Sequence, residues 1–594
     1  MPAQKFEFPA IPETTLGLNF FDIDDNIQTF LRRSRIKLAD RDINTLRKLG
    51  EFAGDRLERQ AVMSQDHPPY IKDLPKSPAH PKERENKLTM NDEYEACQQE
   101  LMRSGVIARC YDEDDPAPHL LPFLAQYLVG KSDIATGCPF AMSHPTSVVL
   151  NTIAPNEIRE KFLPEILRTD GEAAICGTWA TENHSGSDVG RTRTEAVKDD
   201  TDEPHKHRLS GHQFFTSAFG FQKFMAIKTA RPQGAAEGSK GLGLYLIPSH
   251  IDEDWSIQNN LEITHLKRKL GTKGLPTVEI NINGAEGYEI APEGKGINAM
   301  MSALGCSRVH NAIGAAGTMH RSYLEALSWA ANRETFGKPV IERPMIQKRI
   351  LDIATEWKSG TALACEAAQS YDEALRDPSK APWMRMVTAL AKFKTAEQAV
   401  WCAQKTLELY GGNGYTEDYP AARLFRDAMV LPVWEGPEQI QALELLRMIG
   451  NEKSGAPLFT DKLKSVEKAL PSEMQQERTH IKTLRKALKS ALKDLQKDPA
   501  AMEETADEFL HSMSNILSYT LLCEEAAWEL EHDNNASKLF FARHLQNKMM
   551  QNGFSAPSFE TTSLQANFDK VVKAEAIHLS QPDQEEPANA PQPH

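Results

Sequence analysis

Three short segments lie at fixed spacing within residues 409–441: Leu409-Tyr410-Gly411-Gly412-Asn413-Gly414-Tyr415, then Arg426-Asp427, then Trp434-Glu435-Gly436-Pro437-Glu438-Gln439-Ile440-Gln441. The glycine pair ends a long Ala/Leu-rich helical pattern, MVTALAKFKTAEQAVWCAQKTLELYGG, as a helix stop. Glu435 differs from an ordinary solvated glutamate in its setting. An apolar run, MVLPVW, leads into it, an aromatic precedes it and a glycine follows it. Burial against an aromatic raises a carboxylate pKa toward that of a base working near neutrality. Glycine lets backbone approach a ligand closely.

Working outward, helical spacing continues back to about Gly294. Between Gly177 and about Ile290 it gives way to short β-branched and aromatic runs (FMAIKTA, GLYLIP, TVEINI) separated by turn residues, the texture of a small β domain. The hydrophilic insert KDDTDEPHKH reads as a hairpin tip. Upstream, helical patterns run from Asp92 to Arg168, punctuated by Gly137-Cys138-Pro139, and a further helix is expected over Asn26–Ala53. The proline- and charge-rich stretch from His67 to Asn86 reads as a link, because its prolines forbid a continuous helix. A helical region follows Gly455. The expected domains are 1–176, helical with an extension; 177–290, β; 291–450, a helical bundle; 451–575, additional helices; and 576–594, a disordered tail. The fold class is α+β.

Three more segments carry chemistry. Trp179-Ala180-Thr181-Glu182-Asn183-His184-Ser185-Gly186-Ser187-Asp188 is either a plain polar turn or a turn whose amides and hydroxyls bind a polar ligand edge. Gly211-His212-Gln213-Phe214-Phe215-Thr216-Ser217 alternates as a strand, and two phenylalanines there are ordinarily core. Arg333-Glu334-Thr335-Phe336-Gly337-Lys338-Pro339 offers a guanidinium fork suited to a diphosphate.

Taken in order, these three and the 409–441 stretch resemble the acyl-CoA dehydrogenase family, in its motifs T-E-x-x-x-G-S-D, G-x-K-x-W-x-T, R-x-x-F-G-x-P and L-G-G-x-G-[YF] … R-D … [YW]-E-G. The resemblance implies an N-terminal helical domain, a middle β-barrel or sandwich and a C-terminal four-helix bundle, with extra helices beyond. It implies FAD as cofactor, held by Ala180, Thr181, Ser187, Phe215, Thr216, Ser217, Gly436 and Gln439. Arg333, Phe336, Gly411 and Gly412 are expected from a neighbouring subunit of a homo-oligomer, a tetramer by analogy. Glu435 takes the place of the catalytic base, with Ser187 and Arg308 toward the acyl-CoA substrate. Arg308 either helps hold CoA or locks local structure. Ser307, where some relatives carry the base, cannot replace Glu435. An electron-transfer flavoprotein is the implied acceptor. The chain departs from the pattern at Phe215 in place of Trp, at Pro344 in place of a flavin-contacting Gln, and at Pro437-Glu438. Cys138-Pro139 with Met142-Ser143-His144, the G-H-x-x-F-x-S strand and the C-terminal helices resemble the AidB-like, alkylation-response branch of the family.

That branch raises a second function, duplex DNA binding with little turnover, and a third reading is a protein that sequesters acyl-CoA and turns over slowly. Lys482, Arg485, Lys486, Lys489 and Lys493 fall on one helical face opposite Ile481, Leu484, Leu488, Leu492 and Leu495, which is a basic stripe or simply a solvated face. With 68 Lys+Arg against 83 Asp+Glu, the net charge of −15 weighs against a dedicated nucleic-acid protein. Eight singly spaced cysteines offer neither a zinc site nor a disulfide framework. His205-Lys206-His207 lacks a third ligand and reads as a loop, so no metal is expected. No apolar run approaches the ~18 residues of a membrane span, and neither terminus reads as a targeting signal. The expectation is a cytoplasmic oxidoreductase.

Overall fold

The computed structural model describes residues 11–77, 80–201, 203–451, 455–495, 503–551 and 567–578. The N-terminal part is helical: α1 (Asp25–Arg33), α2 (Asp40–Phe52), α3 (Glu58–Asp66), α4 (Asp92–Arg103), α5 (Leu120–Val129), α6 (Ile134–Thr152) and α7 (Asn156–Ile166). Three expectations change here. The single helix predicted over Asn26–Ala53 is two. Ser34 caps α1 through its N–H to Phe30 O, and its hydroxyl donates to Ile36 O, which turns the chain out of the helix. The predicted link is an antiparallel ribbon, β1 (Tyr70–Ser77) with β2 (His80–Thr89). A two-stranded ribbon leaves an unpaired edge on both strands, and Pro75 lies at its register shift, a place where a sheet tolerates proline. Pro139 does not interrupt α6, whose N-cap Asp133 accepts from the N–H groups of Ala135 and Thr136.

The middle domain holds β3 (Ile175–Trp179), β4 (Glu195–Lys198), β5 (Lys206–Ser217), β6 (Phe224–Pro232), β7 (Gly243–Pro248), β8 (Leu261–Leu266) and β9 (Thr277–Ala291). Strand pairing runs β3-β6-β4-β5-β9-β7, and β7 also pairs with β6, so the sheet closes on itself as a barrel. β4 and β5 are antiparallel neighbours joined through the hydrophilic insert. The barrel core is apolar on alternate positions, with β6 and β7 buried along nearly their whole length.

Three long helices form the C-terminal bundle: α8 (Gly296–Asn332), α9 (Pro344–Arg376) and α10 (Ala381–Leu409). The shorter α11 (Pro420–Ala428) and α12 (Glu438–Leu446) complete its fourth side. α5 and α6 pack on α8, which brings all three parts of the chain together along that helix.

Beyond the bundle lie α13 (Gly455–Ala469), α14 (Gln475–Leu495) and two further helices, Ala506–Asp533 and Ser537–Gln551. Buried polar pairs dock these onto the bundle and α1. Glu525 meets Arg33 and Lys538, His544 Nε2 lies 2.8 Å from Asp352, and Lys548 lies 2.6 Å from Glu356. On α14, Ile481, Leu488 and Leu492 are buried, while Lys482, Lys486, Lys489 and Lys493 are exposed. Arg485 leaves the predicted stripe, because it pairs with Glu467 at 2.7 Å. Residues 579–594, most of the predicted tail, lie outside the described residues. Among the described residues no helix is long and apolar enough to cross a membrane.

Candidate active site

A cavity of about 830 Å³ opens where the barrel wall, α6, α8 and the segment 429–437 meet. Glu435 stands on its wall in a left-handed turn, at φ +59°, followed by Gly436 at +95°. A non-glycine residue in that region is strained and persists only where its surroundings hold it. Here three cationic or amide donors do so. Arg308 Nε donates to Glu435 O at 3.0 Å, and Gln441 Nε2 donates to the carbonyls of Glu435 and Gly436 at 3.1 and 3.0 Å. Lys392 Nζ donates to the carbonyls of Gly436 and Pro432 at 2.7 and 3.0 Å.

The carboxyl itself is treated differently. Its Oε2 is buried and has no hydrogen-bond partner among the described residues. Burial pushes its pKa up to about 7, against the opposing pull of Arg308 and Lys392. The same burial pushes the Lys392 ammonium down to about 7. Ser307, one residue before Arg308, is buried and donates to Ala141 O at 3.3 Å, so its hydroxyl is engaged with α6.

Ala180, Thr181, Ser187, Phe215, Ser217, Arg308 and Gly436 share this cavity with Glu435. Phe215, about half exposed, presents an aromatic face. Thr178 Oγ1 and Gln213 Oε1 are buried on the same wall without partners. A flat apolar ring bordered by hydroxyls and unpaired polar atoms suits a planar heterocycle with donor and acceptor edges, as FAD has. Thr216 does not join this wall. Side chains alternate along a strand, so between Phe215 and Ser217 it points the other way and is fully buried.

Several residues of the motifs build the frame rather than the wall. Glu182 accepts from Thr194 Oγ1 at 2.6 Å, from Arg193 N at 2.8 Å and from the buried Lys228 Nζ at 2.9 Å. Asp427 accepts from Thr272 N at 2.5 Å, and burial pushes its pKa up to about 6. A side chain at Gly271 would place its Cβ 2.4 Å from Arg426 O, so only glycine fits that approach.

Arg333, Phe336, Gly411, Gly412 and Gln439 lie on the surface and outside the cavity. Phe336 is 97 % exposed at φ +51°, an aromatic held in solvent by a strained turn. Gln439 is on the outward side of the first turn of α12, and the inward glutamine is Gln441.

The chain matches the acyl-CoA dehydrogenase C-terminal domain over residues 294–450 and the N-terminal domain of the adaptive response protein AidB over residues 11–172. Acyl-CoA dehydrogenase family member 11 of Caenorhabditis elegans is 30% identical over 465 residues, which are 75% of this chain and 74% of that protein. The chain belongs to the acyl-CoA dehydrogenase family. AidB of Escherichia coli (strain K12) is 26% identical over 369 residues, 60% of this chain and 65% of AidB. The crystal structure of C. elegans ACDH-11 in complex with C11-CoA superposes with a TM-score of 0.79 at 26% identity, covering 91% of this chain and 93% of that one. The apo form of Bd2924 gives 0.75, also at 26% identity, over 86% and 98%.

The chain is thus an AidB-like oxidoreductase of a family whose members bind FAD. Two charged residues at this cavity escape sequence reading. Lys269 lines it and Lys392 bonds the Gly436 carbonyl behind its wall, each with a buried ammonium, and burial pushes Lys269 down to about 8. Lys269 Nζ donates to Thr272 O at 2.8 Å and Leu275 O at 2.5 Å. The available signal was a lone lysine inside an apolar helical run for Lys392, and a lysine directly before a glycine turn for Lys269.

Proposed function

We propose that the protein catalyses the FAD-dependent α,β-dehydrogenation of an acyl-CoA thioester, with Glu435 as the base. One observation carries this reading: a glutamate whose backbone is held in a strained turn by Arg308, Lys392 and Gln441, while its buried carboxyl is left unpaired and titrates near neutrality. An ionised Glu435 accepts the proton from C2 of the acyl group. Its own N–H makes no backbone hydrogen bond and is free to donate to the thioester oxygen as enolate character grows. Bound FAD supplies the two-electron acceptor for the hydrogen leaving C3, so the product is the trans-2-enoyl thioester.

Thr181, Ser187, Phe215 and Ser217 would hold the flavin, with Ala180 and Gly436 shaping the space beside them. The separation of Arg333, Phe336, Gly411 and Gly412 from this cavity supports a homo-oligomer in which they complete a neighbour's cofactor site. An electron-transfer flavoprotein is the proposed acceptor. The exposed lysines of α14 do not shift the reading toward DNA, since Arg485 is neutralised and the apolar face of that helix is used in packing.

The test is an anaerobic titration of the flavin-loaded protein with saturated acyl-CoAs of graded length and branching. Flavin absorbance should bleach with one group of thioesters. Glu435→Gln should keep its flavin and lose about 10²–10⁴ in the rate of bleaching, the usual contribution of a positioned base. A flavin that stays oxidised with every thioester contradicts the proposal and returns sequestration to consideration.

A further inference from the structure

The end of the cavity formed by α5, α6 and α8 carries polar groups with nothing to bond. Gln126 sits in α5, whose ten residues (LLPFLAQYLV) are all buried. The residue is 4 % exposed and lines the cavity, and its Oε1 is buried with no hydrogen-bond partner among the described residues. The neighbouring Tyr127 is fully served, donating to Asp24 at 2.7 Å and accepting from Trp357 at 3.0 Å. A buried amide oxygen without a partner is destabilising, so its presence calls for a partner that the protein does not supply.

The space around that amide is built. A Cβ at Gly137 of α6 would lie 2.7 Å from Gln126 Nε2, and one at Gly314 of α8 would lie 3.2 Å from it. Glycine on both facing helices leaves room for the carboxamide at the wall. His310, one turn before Gly314, shares this end. Its Nε2 lies 2.8 Å from His144 Nδ1, and His144 Nε2 lies 2.8 Å from His119 Nδ1, which fixes the ring while leaving His310 Nδ1 buried and unpaired. Burial holds His310 neutral, its pKa pushed down to about 3. Asn311 Nδ2 donates to Leu431 O at 3.2 Å, but its Oδ1 is unpaired. Ile134, Cys138 and Met142 supply the apolar remainder.

We infer that the acyl group taken by this site bears a neutral hydrogen-bonding function, a hydroxyl, keto or amide group, several carbons beyond the reacting C2–C3 bond, and that Gln126 and His310 recognise it. The inference rests on the dehydrogenase reading above. Gly314 lies six residues from Arg308 along α8, about 9 Å at 1.5 Å per residue, which sets the polar group well away from the thioester. Three neutral recognition groups favour a neutral function over a carboxylate. A plain alkyl tail would leave all of them unpaired, the situation in which sites built for a hydroxyl discriminate most strongly.

The experiment measures anaerobic flavin bleaching of the holoenzyme by decanoyl-CoA and by 6-, 8- and 10-hydroxydecanoyl-CoA. At least one hydroxylated thioester should exceed decanoyl-CoA in the second-order rate constant of bleaching by about 100-fold or more. Gln126→Leu should remove at least tenfold of that ratio. If that variant does not fold, Gln126→Met, which keeps the side-chain length, carries the same prediction. Bleaching by decanoyl-CoA as fast as by every hydroxylated analogue overturns the inference while leaving the dehydrogenase standing. So does a ratio unchanged in the variant. No bleaching by any thioester overturns both.

Discussion

Two glutamates with buried carboxyl oxygens, both within recognisable motifs, meet opposite fates. Glu182 is buried and surrounded by donors from Thr194, Arg193 and Lys228, which hold its carboxyl below the usual range. Glu435 is half-buried with its Oε2 turned inside, yet the neighbouring donors go to its backbone carbonyl, and burial pushes its carboxyl up to about 7. The first arrangement fixes a charge and locks the entry to β4 against β6. The second stores a group that can exchange a proton. Residue type and motif membership do not separate structural from chemical carboxylates; the destination of the neighbouring hydrogen bonds does.

The largest test of that contrast is Lys228→Met. It strands the Glu182 carboxylate inside the barrel and should destabilise the protein by about 3–5 kcal/mol, as breaking a buried pair from one side does, seen as a fall in Tm with loss of bound flavin. Glu435→Gln should act in the opposite direction. A folded-state pKa raised from 4.5 to about 7 means the native state binds the proton more tightly than the unfolded chain. Stability therefore falls as pH rises from about 4.5 to about 7 and stays lower above that, by about 3 kcal/mol. Removing the ionisable group should abolish that slope, so the variant should melt higher than the wild type at pH 8 and equally at pH 4.5. A destabilised Gln variant at pH 8 would mean that Glu435 is a structural charge like Glu182. Arg308→Gln should have the smallest effect. It removes one of two donors to the Glu435 carbonyl, so bleaching should slow by about tenfold, roughly 1.4 kcal/mol, with the flavin spectrum unchanged.

Much of the architecture is legible in the chain because it depends on local periodicity. The β texture after Gly177 becomes a closed barrel, and the Ala/Leu-rich stretches become α9 and α10. What escapes depends on the third dimension. Pro75 reads as a breaker, but it stands at the register shift of a two-stranded ribbon, where a strand tolerates proline. Ser34 ends a helix through its own hydroxyl where apolar spacing continues. At the site, Trp434-Glu435-Gly436 announces itself through an aromatic, a carboxylate and a glycine in an apolar run, whereas Lys392 and Gln126 look like solitary polar residues in core helices. Thr216 shares a motif with Phe215 and Ser217, but strand alternation turns its side chain to the far side.

The most direct test of the central claim is the pH dependence of single-turnover flavin reduction under anaerobic conditions. The rate with a reactive acyl-CoA should rise tenfold per pH unit below about 7 and level above it, as Glu435 ionises. Glu435→Gln should show a slow rate without that inflection. A wild-type profile flat between pH 5.5 and 8.5, or a Gln variant that keeps both the rate and the inflection, would contradict the assignment of Glu435 as the base.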